Sequence, residues 1–150
     1  MRGFTLIEAV TVVAMVAIVA AIAGPSFRSF IATMNAKSAT FDLIADLATA
    51  RSEAIKLNRT ITLAPVSGSW ANGWQITDGN GTVLRERPAP GYSLSVSGAD
   101  VTFSPNGRLA ADTADSLVKW DIASSISGVT PRCVVITPTG AARSKSGSCS

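Results

Sequence analysis

The first 27 residues are dominated by apolar side chains. No charged residue occurs from residue 9 to residue 27, and these 19 positions would form a helix about 28 Å long. That length matches the hydrocarbon core of a bilayer, which is about 30 Å thick. A cleaved secretory signal, a permanent membrane anchor and a buried core helix would each contain such a run. The pattern therefore predicts a helix and leaves these three uses open.

Residues 28–57 mix apolar and charged positions at helical spacing. Gly24-Pro25 lies just before this change, and a proline inside a helix removes one hydrogen bond and bends the axis. Apolar residues then recur every three or four positions, which predicts one stripe lying on a sheet. The stripe consists of Phe27, Phe30, Ile31, Met34, Phe41, Ile44, Leu47, Ala48 and Ile55. The charged residues fall mainly off it, and these are Arg28, Lys37, Asp42, Asp46, Glu53 and Lys56. We expect one long helix over about residues 4–57.

Beyond residue 57 the helical period gives way to short strands separated by Gly, Pro, Asn and Asp. Asp78-Gly79-Asn80-Gly81 is a hairpin signal, because its residues tolerate positive φ. Strands are predicted at residues 60–63, 73–78, 82–86, 92–97, 101–104, 117–122 and 133–138. Core or rim aromatic residues are predicted at Trp70, Trp74, Phe103 and Trp120. The fold class is therefore α+β, with a long N-terminal helix packed on a small C-terminal antiparallel β-sheet or β-sandwich domain.

Composition limits the chemistry. Of 150 residues, 47% are hydrophobic and 15% charged, and the mean hydropathy of +0.32 is explained by the apolar N-terminal run. With no histidine and two cysteines, the chain has neither a Ser-His-Asp or Cys-His triad nor the usual four-ligand zinc site. Asp112, Asp115 and Asp121 show no paired-carboxylate arrangement, although a weak calcium site stays an alternative. We expect a non-enzymatic protein with no cofactor, no resident metal and no small-molecule substrate.

Glu8 places a carboxylate within the apolar segment. A charge inside an apolar membrane helix costs about 2.5–3.5 kcal/mol on insertion scales, so such a residue is a functional candidate that needs a partner. The alternative is that Glu8 lies near the membrane interface and is solvated there. Ala21-Ile22-Ala23 supplies a small-residue site of the kind that signal peptidase cuts.

Gly3-Phe4-Thr5-Leu6-Ile7-Glu8, followed by the apolar run and Pro25, resembles the start of type IV pilins and type II secretion pseudopilins. The resemblance implies that prepilin peptidase cuts after Gly3 and that Phe4 is then N-methylated. It also implies that Glu8 neutralises the amino terminus of a neighbouring subunit and that Pro25 kinks or locally melts the helix. Cleavage after Gly3 is therefore favoured over a signal-peptidase cut after Ala23.

A second segment narrows the resemblance. Residues 50–59 (ARSEAIKLNR), with the strand that follows, are similar to the helix-to-strand junction of the GspH/FimT group of minor pilins. Residues 73–74, 101–108 and 134–140 also resemble strands of that group. Arg51 and Glu53 lie in this segment, and we interpret them as a solvated helix face.

The resemblance implies a FimT- or FimU-like minor type IV pilin of the pilus tip or priming complex. Its parts would be a leader (residues 1–3), a transmembrane and filament-core helix (4–27), an amphipathic helix half (28–59) and a periplasmic β-rich domain (60–150). The protein would stay in the bacterial inner membrane as a single-pass subunit, and later join other minor and major pilins in the filament. The alternative is a GspH-like minor pseudopilin of a type II secretion system.

Cys133 and Cys149 are the only cysteines. If the domain is exported, the compartment is oxidising, and a close even pair indicates a disulfide worth about 3 kcal/mol. Two free thiols are the alternative.

The C-terminal tail is basic. No acidic residue follows Asp121, whereas Arg132, Arg143 and Lys145 lie beside serines and glycines, as phosphate contacts require. Some FimT-type pilins capture DNA through a Gly-Arg-x-Arg pattern, but here the first arginine is replaced by Ala141. Three cations would bind DNA weakly at best. The alternatives are thus a DNA receptor for natural transformation and a solubilising terminal loop.

Overall fold

The computed structural model describes residues 4–91, 93–111 and 117–149, apart from the side chains of Ile22, Ala23 and Pro25. These residues form a helix followed by eight strands: α1 (Leu6–Leu57), β1 (Ile61–Pro65), β2 (Gly73–Asp78), β3 (Val83–Pro88), β4 (Leu94–Gly98), β5 (Val101–Phe103), β6 (Val118–Ser124), β7 (Arg132–Ile136) and β8 (Ala142–Ser146). The leader prediction at Gly3 and the carboxylates Asp112 and Asp115 lie outside the described residues. The predicted α+β class is confirmed.

Polar residues fix both ends of α1. Thr5 has extended backbone angles, and its side-chain oxygen accepts the backbone N–H of Glu8 at 3.4 Å. Asn58 ends the helix in the left-handed region, with φ 49°, and its N–H donates to the carbonyl oxygens of Ala54 and Ile55. The helix therefore starts and ends within two residues of its predicted limits.

α1 is bent near Gly24-Pro25. Its parts Leu6–Ala21 and Ser26–Leu57 are inclined at 41° to each other. In the described chain no single helix is long and apolar enough to cross a membrane. The two parts on either side of the bend reach the necessary length and hydrophobicity only when they are taken together, and this statement rests on length and composition alone. The role of Pro25 stays a prediction, because its side chain is not among those described.

The strands form two four-stranded antiparallel sheets. Sheet A has the order β3-β2-β1-β5 and sheet B the order β4-β6-β7-β8. Together they bury the predicted aromatic residues Trp70, Trp74, Phe103 and Trp120. The Trp70 ring lies 6.3 Å from that of Trp74 and 6.2 Å from that of Trp120, so these rings join the two sheets in one core.

The face of α1 that packs on the sheets differs from the predicted stripe. Phe27, Phe30, Phe41 and Ile55 are all more than half exposed. The buried side chains are smaller on average: Ala32, Ala36, Ala39, Thr40, Leu43, Asp46, Leu47, Ala50 and Ala54. At 100° per residue these two sets lie on opposite sides of the helix. The prediction that the large apolar residues face the sheets was therefore wrong for most of them, because small residues allow the helix to approach the sheets closely.

β8 was also missed. No strand is predicted from the sequence beyond residue 138, and alanine and lysine are residues that strands disfavour. In the structure Ala142–Ser146 pairs with Ile136–Arg132 of β7 over five positions. Tertiary pairing and the nearby disulfide override the local preference of these residues.

The predicted hairpin between β2 and β3 is confirmed, and Asp78 closes it. Its N–H donates to the Thr82 carbonyl, and its Oδ1 accepts the N–H groups of Thr82 at 2.8 Å and Asn80 at 3.0 Å. Arg59 Nη1 lies 3.1 Å from Asp78 Oδ2. The hydrogen bond from Thr82 is the largest cause that lowers the pKa of Asp78, with further lowering by Asn80 and Arg59 against the opposing effect of burial.

The lowered pKa of Asp78 predicts how the stability of the protein depends on pH. A carboxyl group whose pKa is lower in the folded than in the unfolded chain stabilises the fold above the unfolded value, near pH 4, and loses this effect as pH falls through the folded value. The difference in unfolding midpoint between wild type and Asp78→Asn should be constant from about pH 5 to 7 and shrink below about pH 4. Urea unfolding at a series of pH values measures it. Asp100→Asn, at an exposed position, is the control. A difference between wild type and Asp78→Asn that persists unchanged to about pH 2 would refute the lowered pKa of Asp78.

Candidate functional site

The N-terminal part of α1 presents apolar side chains without a covering element in the described chain. Phe4 is 85% exposed and Leu6 83% exposed, and the large apolar residues from Val10 to Val19 are more than half exposed. On the far side of the bend the exposure continues along one face through Phe27, Phe30, Ile31, Met34 and Phe41. A continuous exposed apolar surface of this extent marks a site that meets a membrane or another protein.

Glu8 occupies the third position of the first turn of α1. Thr5 is the N-cap and Glu8 stands three residues later, so Thr-x-x-Glu is the sequence of a capping box. The Thr11 hydroxyl donates to the carbonyl oxygen of Glu8 at 2.9 Å. A carboxylate here also faces the positive end of the helix dipole. Within one chain the backbone of Glu8 is thus fixed at the helix terminus, and its side chain is exposed.

A buried carboxylate attaches the middle of α1 to sheet A. Asp46 is 1% exposed, and its Oδ2 accepts from Trp74 Nε1 at 2.9 Å and from Arg87 Nε at 2.6 Å. Arg87 Nη2 donates to Asp46 Oδ1 at 3.0 Å, and Arg85 Nε lies 3.2 Å from the same oxygen. The hydrogen bond to Asp46 raises the already high pKa of Arg87. The sequence pattern places Asp46 among the charged residues off the predicted stripe, whereas the structure buries it against sheet A.

The side chain of Arg51, a residue of α1, packs against two turns of the β-domain. It is half-buried, and its Nε is buried with no hydrogen-bond partner among the described residues. A Cβ added at Gly140, where φ is +81°, would lie 2.7 Å from the Gly107 carbonyl oxygen and 3.2 Å from Arg51 Nε. The predicted solvated face is therefore wrong for Arg51. The signal in the sequence was the pair of Pro-x-Gly turns, 105–107 and 138–140, that its side chain touches.

The predicted disulfide is present. Cys133 and Cys149 are bonded across a sequence separation of 16, so the C-terminus is fastened to β7. The Cys149 N–H donates to Asp121 Oδ1 at 2.8 Å, and Lys119 Nζ donates to the Cys149 carbonyl at 3.2 Å. These contacts lie on the face of sheet B that points away from α1, which we call the outer face.

The three predicted phosphate-binding cations do not form one cluster. Arg143 and Lys145 alternate along β8 and are exposed on the outer face. Lys119 shares this face, two strands from Arg143 through Val135, which is about 10 Å at the usual strand spacing. Arg132 alternates onto the opposite face, where it is half-buried and its Nε is buried with no partner among the described residues. Sequence reasoning missed Lys119 because it is distant along the chain.

No group of three or more His, Cys, Asp or Glu residues in the described ranges could hold a metal ion. Asp121 of the predicted alternative calcium site is engaged with Cys149.

The family model of GspH, described as type II transport protein GspH, matches residues 39–140. No curated protein matches the chain. The matched region begins in the packed half of α1 and ends at Gly140, so it contains both Asp46 and Arg51.

Solved structures share the fold. A crystal structure of the type IV minor pilin FimU from Pseudomonas aeruginosa has a TM-score of 0.66 and 24% identity, and the match covers 81% of this chain and 99% of that one. A second FimU crystal structure gives 0.59 and 25%, covering 76% and 99%. The minor pseudopilin EpsH from the type 2 secretion system of Vibrio cholerae gives 0.58 and 9%, covering 75% and 97%.

Proposed function

Because the chain belongs to the GspH family of type II transport proteins, we propose that it is a minor subunit of a type IV pilus and acts in the complex that primes assembly at the filament tip. The resemblance to pilins and pseudopilins found in the sequence is confirmed by the family match and by the fold shared with FimU and EpsH. Proteins of this superfamily are structural subunits that assemble with other pilins. A non-enzymatic role for this chain is part of the proposal.

The observation that carries the proposal is the exposed apolar surface of α1. Burying it stabilises by about 25 cal/mol per Å², so the helix is driven out of water into a membrane or among other helices. We infer that residues 4–27 first anchor the subunit in the inner membrane, with residues 28–150 in the periplasm, and later pack in the filament core. Cleavage after Gly3 by prepilin peptidase and methylation of Phe4 are part of this proposal, as is a bend at Pro25.

Glu8 would select the axial position of the subunit in the bundle. Cleavage creates an ammonium group at Phe4, and a neighbouring Glu8 carboxylate neutralises it at one offset between helices. A buried charge left without a partner is strongly destabilising, whereas a paired one is tolerated. The exposure of Glu8 on the first turn of α1 leaves its oxygens available to such a partner.

Replacing Glu8 with glutamine tests the proposal. We expect the fraction of the protein recovered in sheared filaments to fall by about tenfold or more, because the ion pair between this subunit and its neighbour among apolar helices is lost. Immunoblotting of filament and membrane fractions measures it.

Glu53→Gln is the matched control. Glu53 forms an exposed pair with Lys56 at 3.2 Å, a contact of a kind that contributes little, so recruitment should not change. Equal recovery of Glu8→Gln and wild type in filaments would overturn the proposal.

A minor pseudopilin of a type II secretion system is the second candidate function. The description of the family model and the fold shared with EpsH favour it. A deletion strain separates the two: loss of surface pili supports the pilus proposal, and loss of protein export with pili intact supports the pseudopilin. DNA uptake stays a further possibility of the same subunit, now through Lys119, Arg143 and Lys145 on the outer face rather than through Arg132.

A further inference from the structure

β8 is an edge strand with a free side. In the described chain β7 pairs with one side of β8, and no strand pairs with the other. The Gly147 N–H donates to the Pro131 carbonyl, and the Thr137 N–H donates to the Ala141 carbonyl. Because hydrogen-bonded pairs alternate in an antiparallel ladder, Arg143 and Lys145 direct their backbone groups toward β7. Ala142, Ser144 and Ser146 therefore direct theirs toward the free side.

The two faces beside this edge differ in chemistry. Arg143 and Lys145 project from the outer face, and no acidic residue follows Asp121 in the sequence. On the face toward α1 the edge borders a groove of about 380 Å³ that is mainly apolar. Its lining consists of Ile44, Ala48, Arg51, Ser52, Ile55, Gly140, Ala141 and Ala142. A strand added here would have one face beside cations and the other over the groove.

We propose that the free edge of β8 binds an extended segment of a partner protein in which acidic residues alternate with apolar ones. The backbone of the segment pairs with Ala142, Ser144 and Ser146. Its carboxylates lie beside Arg143 and Lys145, since cross-strand neighbours on one face are about 5 Å apart. Its apolar side chains point to the other face and cover the groove, because side chains alternate along a strand.

Charge argues against a second copy of β8 as the occupant. Pairing two copies would bring cations together on the outer face, and like charges directly opposite each other are destabilising. The other edge strands of the two sheets are β3, β4 and β5. β3 carries charges of both signs in Arg85-Glu86-Arg87 and ends in Pro88, whereas β4 and β5 carry no charged residue. Charged side chains, lysine above all, and proline are features that protect edges from pairing with other strands. The cations Arg143 and Lys145 of β8 oppose pairing with a basic or neutral apolar strand and attract carboxylates, so this edge favours an acidic partner.

The test uses the full-length chain in detergent micelles and a blocked octapeptide of alternating glutamate and valine. Hydrogen exchange followed by NMR should show fast amides at Ser144 and Ser146 in the free protein and slow amides at Arg143 and Lys145. Saturation with the peptide should slow exchange at Ala142, Ser144 and Ser146 by about tenfold or more. Unchanged exchange at these three amides would overturn the proposal.

Lys145→Glu should lower the affinity for the peptide by about tenfold, because an attraction between opposite charges across the strand pair becomes a repulsion. Lys56→Glu changes the net charge equally on an exposed helix position, and its affinity should match that of wild type. A peptide of four glutamates followed by four valines should not protect the edge amides. Equal protection by this peptide or by a DNA oligonucleotide would overturn the proposal, as it would show a general polyanion surface.

Discussion

Replacing Asp46 with alanine is expected to lower the free energy of unfolding by about 3–5 kcal/mol, the usual effect of breaking a buried ion pair. The carboxylate is 1% exposed and accepts hydrogen bonds from both Trp74 and Arg87. Its loss leaves the Trp74 N–H buried without this acceptor, and Arg87 without its main counter-charge. Because domains are stable by about 5–15 kcal/mol, the change removes a large share of the total.

Asp42→Ala is the matched control for this prediction. Asp42 contacts Arg87 Nη1 at 3.2 Å, but its side chain is 39% exposed, so its removal should reduce stability by less than about 1 kcal/mol. Chemical unfolding followed by tryptophan fluorescence measures both variants, since Trp74 reports directly on the cluster. Equal midpoints for Asp46→Ala and Asp42→Ala would show that the buried contacts contribute no more than the exposed one.

Removing the disulfide is expected to lower stability by about 3 kcal/mol, through the added freedom of the unfolded chain. The effect should be concentrated at the C-terminus, because Cys149 is otherwise held by Asp121 and Lys119 through single hydrogen bonds. In Cys133→Ala/Cys149→Ala protein the amides of Arg143 and Lys145 should exchange faster, while those of the buried half of α1 change little at native conditions.

Reduction of the wild-type protein provides an independent check on the same prediction. Dithiothreitol should shift its unfolding midpoint to that of the double variant. Ser148→Ala, next to the bridge and exposed, should leave the midpoint unchanged. Identical midpoints for oxidised and cysteine-free protein would contradict a stabilising role of the bridge.

The sequence predicted α1 well in extent and poorly in orientation. Its ends follow from local rules, since Thr5 and Asn58 are cap residues. The packed face does not, because the helix carries apolar residues on two opposite sides. Helical period alone selects the larger side chains, such as Phe30 and Phe41, whereas close packing on the sheets selects Ala36, Ala39 and Ala50. Large apolar residues left exposed on the opposite side are typical of a surface that meets a membrane or another protein.

Some features of the candidate sites were likewise predictable from local sequence, and others were not. The motif around Glu8 and the cysteine pair were predicted from local sequence. The Asp46 cluster was not, since Asp46 and Arg87 are 41 positions apart and no local signal marks a buried carboxylate. The position of Lys119 beside Arg143 depends on the register of three strands, and that register is fixed by tertiary packing. Long-range pairing is thus what sequence periodicity leaves open.

The two attachments of α1 also determine how mechanical force reaches the domain. Asp46 ties the helix to β2 and β3 of sheet A, and Arg51, about 7.5 Å further along the axis, abuts the turns at Gly107 and Gly140. A pull on the N-terminus would therefore be divided between the ionic link to sheet A and the contacts of Arg51 with one turn of each sheet, since Gly107 follows β5 of sheet A and Gly140 connects β7 to β8 of sheet B. Because these attachments reach both sheets, we expect the domain to follow the helix as one body under such a pull.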